Sequence, residues 1–297
     1  MDLLSLRYFR TVARHEHISR AAAELGVAQP SVSRTIIRLE RELGVPLFDR
    51  QGRRIRLNRH GAAFLRRVER ALAELDDARR ELADAAGADQ GGSVAVAAET
   101  LLPLAGLLSC FQNRHPGVTV RLHQSPIEEM RRQLRAREVD FCIASQPLTG
   151  PTVRSVELLR EEVWLVVPLG HRLAGRERVR VAELAGEPVV STRPGHWQRA
   201  LLERLFAEAG LAPVITCEGD EPAATPDLIS AGLGIGLLPD MSRRHPRHGA
   251  VAWVRLDAAD CRRTLTLVWH RDAYLSAAAR HFRDLAIEQL PLMAAPA

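Results

Sequence analysis

Leu3, Leu6, Phe9, Val12 and Ala13 recur at steps of three and four residues, which predicts an amphipathic helix ending near His15. Ser19 is placed to cap a second, short helix and Gly26 to close it. A Ser hydroxyl accepts from a free first-turn amide, and Gly tolerates the left-handed turn that ends a helix. Pro30 suits the opening of a third helix, whose apolar side is Val32, Ile36, Leu39 and Leu43 up to Gly44. A short helix, a tight turn at Gly26 and a longer helix make a helix-turn-helix. Leu47 and Phe48 follow as candidate core residues. Residues 50–57 then read as a tight turn at Gly52 between two short strands, a basic wing.

Over 59–86 there is no Pro and the only Gly is Gly61. Leu65, Val68, Leu72, Leu75 and Leu82 keep steps of three and four, with Arg79 at one seam position. That is a coiled-coil seam of about three heptads. A helix of about 28 residues is roughly 40 Å long, suited to pairing with a copy of itself. Residues 87–92 read as a flexible joint.

Beyond Gly92 short apolar runs alternate with amphipathic stretches: strands at 93–97, 118–123 and 141–144, helices at 101–114 and 127–137. The alternation restarts at 163–167 and continues through strands at 188–191, 214–217 and 235–238 and helices at 197–209 and 225–231. This predicts a mostly parallel α/β sheet in two similar halves. Residues 163–168 and 264–270 are the candidate crossing strands, and Ser276 caps a last helix that returns to the first half.

Composition changes the picture in one respect. The 297 residues are 46% apolar and 26% charged, ordinary for a globular chain of about two domains. All 41 basic residues are Arg. Residues 1–60 hold 12 Arg against 6 acids, while residues 61–297 hold 29 against 30, so the whole basic excess lies in the first fifth. That asymmetry points to an N-terminal module that meets a polyanion, with nucleic acid favoured over a membrane surface. No apolar run reaches membrane-spanning length, and the first ten residues carry no basic-then-apolar leader, so a soluble cytoplasmic protein is expected.

The polar side of the third helix carries Gln29, Ser31, Ser33, Arg34 and Arg38, side chains suited to base edges and phosphates in a major groove. With Pro30, Ser19 and the wing residues Arg53 and Arg54 they are the candidate DNA contacts. Residues 18–34, Ile-Ser-Arg-Ala-Ala-Ala-Glu-Leu-Gly-Val-Ala-Gln-Pro-Ser-Val-Ser-Arg, and 37–50, Ile-Arg-Leu-Glu-Arg-Glu-Leu-Gly-Val-Pro-Leu-Phe-Asp-Arg, resemble the DNA-binding domain of LysR-type transcriptional regulators. One small departure is Asn58, where the family usually has Thr; Asn caps a helix as well. The resemblance implies that Gln29, Pro30, Ser31, Ser33 and Arg34 face the major groove and that Arg53 approaches the minor groove. It also implies dimerisation through the linker helix, assembly of two dimers into a tetramer, and a contact with RNA polymerase that changes when a small-molecule effector binds.

The expected fold class is therefore α/β with an N-terminal all-α winged helix-turn-helix domain (1–58), a long linker and dimerisation helix (59–88) and a two-subdomain, periplasmic-binding-protein-like effector domain (92–297). Its subdomains are expected at 92–162 with 268–297, and at 163–267. Ligands of such folds sit between the halves, beyond the carboxyl ends of strands. The candidate effector contacts are Glu99, Thr100, Leu101, Ser125, Ser145, Thr192 and Arg193, with free amides of the helix after Thr100 available to an anion. Pro126, Gln146, Pro194 and His196 lie beside them. Glu99, Glu218, Asp220 and Glu221 are surface acids, or else they favour a ligand with donors or a positive group.

Other functions find less support. Gly232-Leu-Gly-Ile-Gly236 lacks the third glycine of a dinucleotide fingerprint and follows a helix, and His245 with His248 is a poor metal pair; neither a cofactor nor a metal is expected. No G-x-S-x-G elbow, H-E-x-x-H or Walker loop points to an enzyme. Cys110, Cys142, Cys217 and Cys261 lie at least 32 residues apart and read as small buried hydrophobes. A redox-sensing regulator acting through Cys217 is the alternative within the same fold, and a purely architectural DNA-binding protein would leave some 200 C-terminal residues without a role.

Overall fold

The computed structural model describes residues 1–51, 54–86, 92–101, 104–244 and 251–294. They form two compact units, Met1–Ala83 and Asp84–Ala297.

In the first unit, α1 (Leu3–His15) is opened by Asp2, whose Oδ1 accepts from Ser5 N at 2.7 Å. Glu16 ends it in the left-handed region, and α2 (Ile18–Leu25) follows at once. Because the chain has already turned at Glu16, His17 takes the extended cap geometry, and its Nδ1 accepts from Arg20 N. Ser19 is thus not the expected cap; it stands inside the first turn, exposed. Gly26 closes α2 at φ 65°, where any side chain would be strained, and leads into α3 (Gln29–Leu43). Strands β1 (Phe48–Gln51) and β2 (Arg54–Leu57) pair antiparallel, Phe48 opposite Leu57 and Gln51 opposite Arg54. The expected turn at Gly52 lies outside the described residues. Phe9, Val12, Val32, Ile36, Leu39 and Leu47 form the core, with the Phe9 ring 5.6 Å from Phe48 and 5.2 Å from Phe64.

Asn58 caps α4 (Arg59–Ala85), accepting from Gly61 N at 2.9 Å. Glycine is required there: a Cβ on Gly61 would stand 2.1 Å from the Leu47 carbonyl oxygen. The seam of α4 splits. Val68 and Leu72 are buried in the core just described, and Leu65 packs against it, whereas Leu75 and Leu82 are 43% and 71% exposed. The expectation that all five residues form one pairing seam is corrected accordingly, because the first half of the stripe is already used by the unit's own core.

In the second unit, β3 (Ser93–Ala98), α5 (Ala105–Arg114), β4 (Thr119–Gln124), α6 (Ile127–Arg135) and β5 (Phe141–Ala144) build a parallel sheet in the order β4-β3-β5. The chain then enters β6 (Val153–Pro168), a 16-residue strand that serves both lobes. Next come β7 (Arg178–Arg180), β8 (Pro188–Thr192), α7 (Trp197–Glu208), β9 (Val214–Gly219), α8 (Thr225–Ser230), β10 (Gly236–Pro239), β11 (Val251–Asp257), β12 (Arg262–His270) and α9 (Ala277–Ala294). Strand β12 joins β5 to the first part of β6, both antiparallel, while β10 and β11 pair with its second part, so that one eight-stranded sheet runs through both lobes.

Leu158, Leu159, Leu265, Leu267, Phe111 and Phe282 pack in the first lobe. Val163, Leu165, Val254, Leu202, Phe206 and Cys261 pack in the second. The sheet is mixed rather than mostly parallel, because β10, β11 and β12 all run antiparallel to the long strand β6, and two further differences from the sequence reading follow. The first crossing strand begins ten residues before 163, where Arg154, Glu157 and Arg160 to Glu162 hide it, and the return crossing falls ahead of Leu265 rather than at 268. Ser276 caps α9 as expected, its Oγ accepting from Ala279 N at 3.2 Å.

Candidate functional site

Two surfaces carry the chemistry, one in each unit. On α3, Val32, Ile36 and Leu39 are buried, so the opposite side of the helix is presented outward. Gln29, Pro30 and Arg34 are exposed there, and Ser31 and Ser33 are half-buried at its edges. Arg34 Nε donates to the Pro30 carbonyl at 3.3 Å, which holds the side chain along the first turn. Arg38 is turned toward α1, donating to Ser5 Oγ at 3.3 Å and standing 3.6 Å from Asp2 Oδ2. Arg53 lies outside the described residues, as does the side chain of Arg54. The exposed Arg and Gln sit on the segment that holds the chain's whole basic excess.

The second surface is internal, where the sheet passes from lobe to lobe. Glu161 on β6 and Arg263 on β12 stand opposite each other across the ladder, with Nε 3.5 Å from Oε1 and both side chains buried. The Arg263 guanidinium lies 5.0 Å over the Trp197 ring at the start of α7. Burial pushes its pKa down, and the Glu161 and Glu99 carboxylates push it back up. Its Nε and Nη2 have no hydrogen-bond partner among the described residues. A buried donor without an acceptor costs about 1–3 kcal/mol, so these are groups that a ligand or water can satisfy.

Glu99, at the end of β3, is 1% exposed. It accepts from Ser145 N at 3.1 Å, Gln146 Nε2 at 3.0 Å and Trp197 N at 3.2 Å. Gln146 Nε2 also donates to the Gly195 carbonyl at 2.9 Å. One buried carboxylate thereby clips the first lobe to the opening turn of α7 in the second, where free amides favour negative charge. Beside this clip, Thr100, Trp197, Gln198, Leu238, Met241 and Arg263 enclose a cavity. A smaller one adjoins it across Gln198, lined also by Thr192 and Thr225. Thr192 Oγ1 and Gln198 Oε1 are buried without hydrogen-bond partners among the described residues. The larger of these two measures about 20 Å³, room for about one water, so an organic molecule would fit there only if the lobes or side chains parted.

A basic, outward-facing helix in one unit and a two-lobed domain with an internal cavity in the other agree with what comparison finds over the same residues. Residues 3–62 match the family model for the bacterial regulatory helix-turn-helix protein, lysR family, and residues 87–291 match the LysR substrate binding domain. The chain belongs to the LysR family. It is 34% identical over 291 residues to the uncharacterised HTH-type transcriptional regulator YybE of Bacillus subtilis (strain 168), covering 97% of this chain and 98% of that protein. Among solved structures it shares its fold with a full-length OxyR variant from Pseudomonas aeruginosa, at a TM-score of 0.70 and 24% identity, covering 96% of this chain and 93% of that one. It also shares it with CbnR complexed with its target DNA, at a TM-score of 0.56 and 24% identity, covering 98% of this chain and all of the other.

This LysR-type regulator is a DNA-binding transcriptional regulator with an effector-binding domain. Of the expected effector contacts, Thr100 lines the main cavity and Thr192 the smaller one, while Glu99 and Ser145 form the clip between the lobes. Leu101 packs against the first-lobe core instead, and Ser125 is buried with its N–H on the Ala98 carbonyl, away from the cavity lining. Arg193 turns outward, exposed, and pairs with Asp220 at 3.1 Å. The helix after Thr100 starts only at Ala105, so Thr100 does not stand at its first-turn amides. Glu218 pairs with Arg199, which leaves Glu99 as the one of the four acids drawn into the interior.

Trp197, Gln198, Glu161 and Arg263 were not singled out from the sequence. The available signal was an Arg in line with the apolar inward positions of its strand, 263 before Leu265 and Leu267, with a Glu at the matching inward position of its neighbour. The two buried thiols, Cys142 and Cys261, are pushed up by burial to about 12 and about 11, and Cys110 and Cys217 are partly exposed in different lobes. His245 and His248 lie outside the described residues. Among the described residues no helix is long and apolar enough to cross a membrane.

Proposed function

We propose that the protein reads an operator through α3, with Gln29, Ser33 and Arg34 at base edges and the wing on the backbone or minor groove, and that a small molecule bound between the lobes changes this binding. The reading extends to a cytoplasmic homodimer formed through the exposed part of α4, further pairing of dimers, a contact with RNA polymerase, and no catalytic step. The observation that carries it is the inter-lobe cavity with its buried, unpartnered Arg263 donors and Thr192 hydroxyl. A packed interior leaves such groups unsatisfied only where something else completes them. The exposed Leu75 and Leu82 on α4 support the pairing, and a basic excess confined to residues 1–60 supports the DNA contact.

The test uses the full chain. Thermal-shift screening against a metabolite library detects ligands that bind the folded state, which gain about 2.7 kcal/mol at a hundredfold excess over Kd. Ligands found this way are then titrated into an operator gel shift. A ligand that stabilises the wild type, loses its effect when Ala223→Phe fills the cavity wall, and alters operator affinity supports the reading. Stabilisation unaffected by that substitution moves the effector site elsewhere.

A further inference from the structure

The cavity between the lobes combines three features that bear on the charge of what it takes. Arg263 is, among the described residues, the one charged side chain in its wall, and it is 3% exposed. Two carboxylates act on it electrostatically, Glu161 across the ladder and Glu99 in the clip. Both are themselves held by N–H donors: Glu99 by three, and Glu161 by Met241 N at 2.8 Å on Oε2. What the guanidinium still offers is donors, Nε and Nη2, with the Trp197 indole Nε1 also buried and without a hydrogen-bond partner among the described residues. The remaining wall is mostly apolar, with Pro222, Ala223, Pro226, Leu238 and Pro239.

We propose that the effector is an uncharged, mostly apolar molecule whose amide, ester or ketone oxygen accepts hydrogen bonds from Arg263; this rests on the reading of the inter-lobe cavity as the effector site. Each other charge class meets a specific obstacle. A ligand anion is drawn to the guanidinium but repelled by two carboxylates close behind it, in an interior that screens charge poorly. A ligand cation is attracted by the carboxylates, but neither lines the cavity, so in the wall it meets the like charge and the N–H donors of Arg263. A pure hydrocarbon leaves buried N–H groups without an acceptor. A neutral acceptor satisfies the donors, adds no charge, and lays its apolar part on the proline and leucine wall.

The experiment titrates the full-length protein at pH 7.5 with matched compounds on two skeletons: benzoate, benzamide, benzylamine and toluene, and hexanoate, hexanamide, hexylamine and hexane. Tryptophan fluorescence and thermal shift are the readouts. The amides are expected to bind at least tenfold more tightly than the acid, amine or hydrocarbon of the same skeleton. Glu161→Gln, which removes one of the two repelling charges, is expected to raise acid affinity relative to amide severalfold. The double variant Arg263→Met/Glu161→Met, which avoids leaving a lone buried charge, is expected to make amide and hydrocarbon equal. Acids or amines binding more tightly than amides in the wild type overturn the proposal, and so does an absence of binding across both series. Binding with the expected preference that survives both the double variant and Ala223→Phe shows instead that the cavity is not the site, so the two readings fail in different ways.

Discussion

Removing the Glu99 carboxylate tests whether one side chain holds the lobes together. In Glu99→Ala, the Ser145 and Trp197 amides each lose a buried acceptor. At about 1–3 kcal/mol apiece that is about 2–6 kcal/mol. Gln146 keeps its bond to the Gly195 carbonyl and adds little. Relief of the buried charge offsets part of the loss, although Arg263 also gives up one of its two counter-charges. The net expectation is destabilisation by about 2–4 kcal/mol, which for a domain of this size lowers Tm by about 5–15 °C. Calorimetry of the full chain reads it, with Glu218→Ala as control. That carboxylate is half-exposed on Arg199, and its loss is expected to stay within about 0.5 kcal/mol. A Glu99→Ala transition within about 1 °C of wild type would refute the argument, since it would mean that the three N–H bonds are replaced by water at no cost.

Further outcomes follow from the same reasoning. Leu75→Glu with Leu82→Glu is expected to give folded monomers by sedimentation and weaker operator binding, whereas Leu72→Glu, at a 1%-exposed site, is expected to unfold the first unit; a dimeric double variant would remove α4 as the contact. Ser33→Ala with Arg34→Ala should erase preference for the operator while retaining steeply salt-dependent binding, as measured by gel shift at two ionic strengths. Gly61→Ala, whose methyl would meet the Leu47 carbonyl at 2.1 Å, should cost about 3 kcal/mol by urea unfolding, the upper end for an overpacked site. With raised pKa values, Cys142 and Cys261 stay protonated at pH 8 and should react with a thiol reagent only on unfolding, while Cys110 and Cys217 react first; the reverse order would contradict the burial.

The elements that could be read from the chain alone are those whose cause is local. The three-and-four spacing of Leu3 to Ala13, the left-handed turn at Gly26, the Asn58 cap and the alternation of strands with helices after Gly92 each follow from backbone and side-chain preferences within a few residues, and the charge asymmetry needs only counting. Where one local preference competed with another, sequence alone chose wrongly: Ser19 is a good cap, but the turn at Glu16 had already put His17 in that place.

The remainder depended on which distant residues meet. The stripe on α4 is uniform in sequence, yet Leu72 is core and Leu82 is surface, because only the first half of the helix has the α1–α3 bundle beneath it. Residues 153–162 carry too many charges to read as a buried strand until β12 pairs with them. The site is the extreme case. Glu99, Glu161, Trp197 and Arg263 come from four separate parts of the chain; only Glu99 was a candidate from the sequence, and nothing local joins it to the other three in a chain with 41 Arg. Sequence determined that the protein has a basic DNA-reading unit and a two-lobed domain. The crossing of β6 and β12 between the lobes decided that a guanidinium would be buried there with donors to spare, since burial and unmet hydrogen bonds are properties of an assembled interior and have no counterpart in a string of residues.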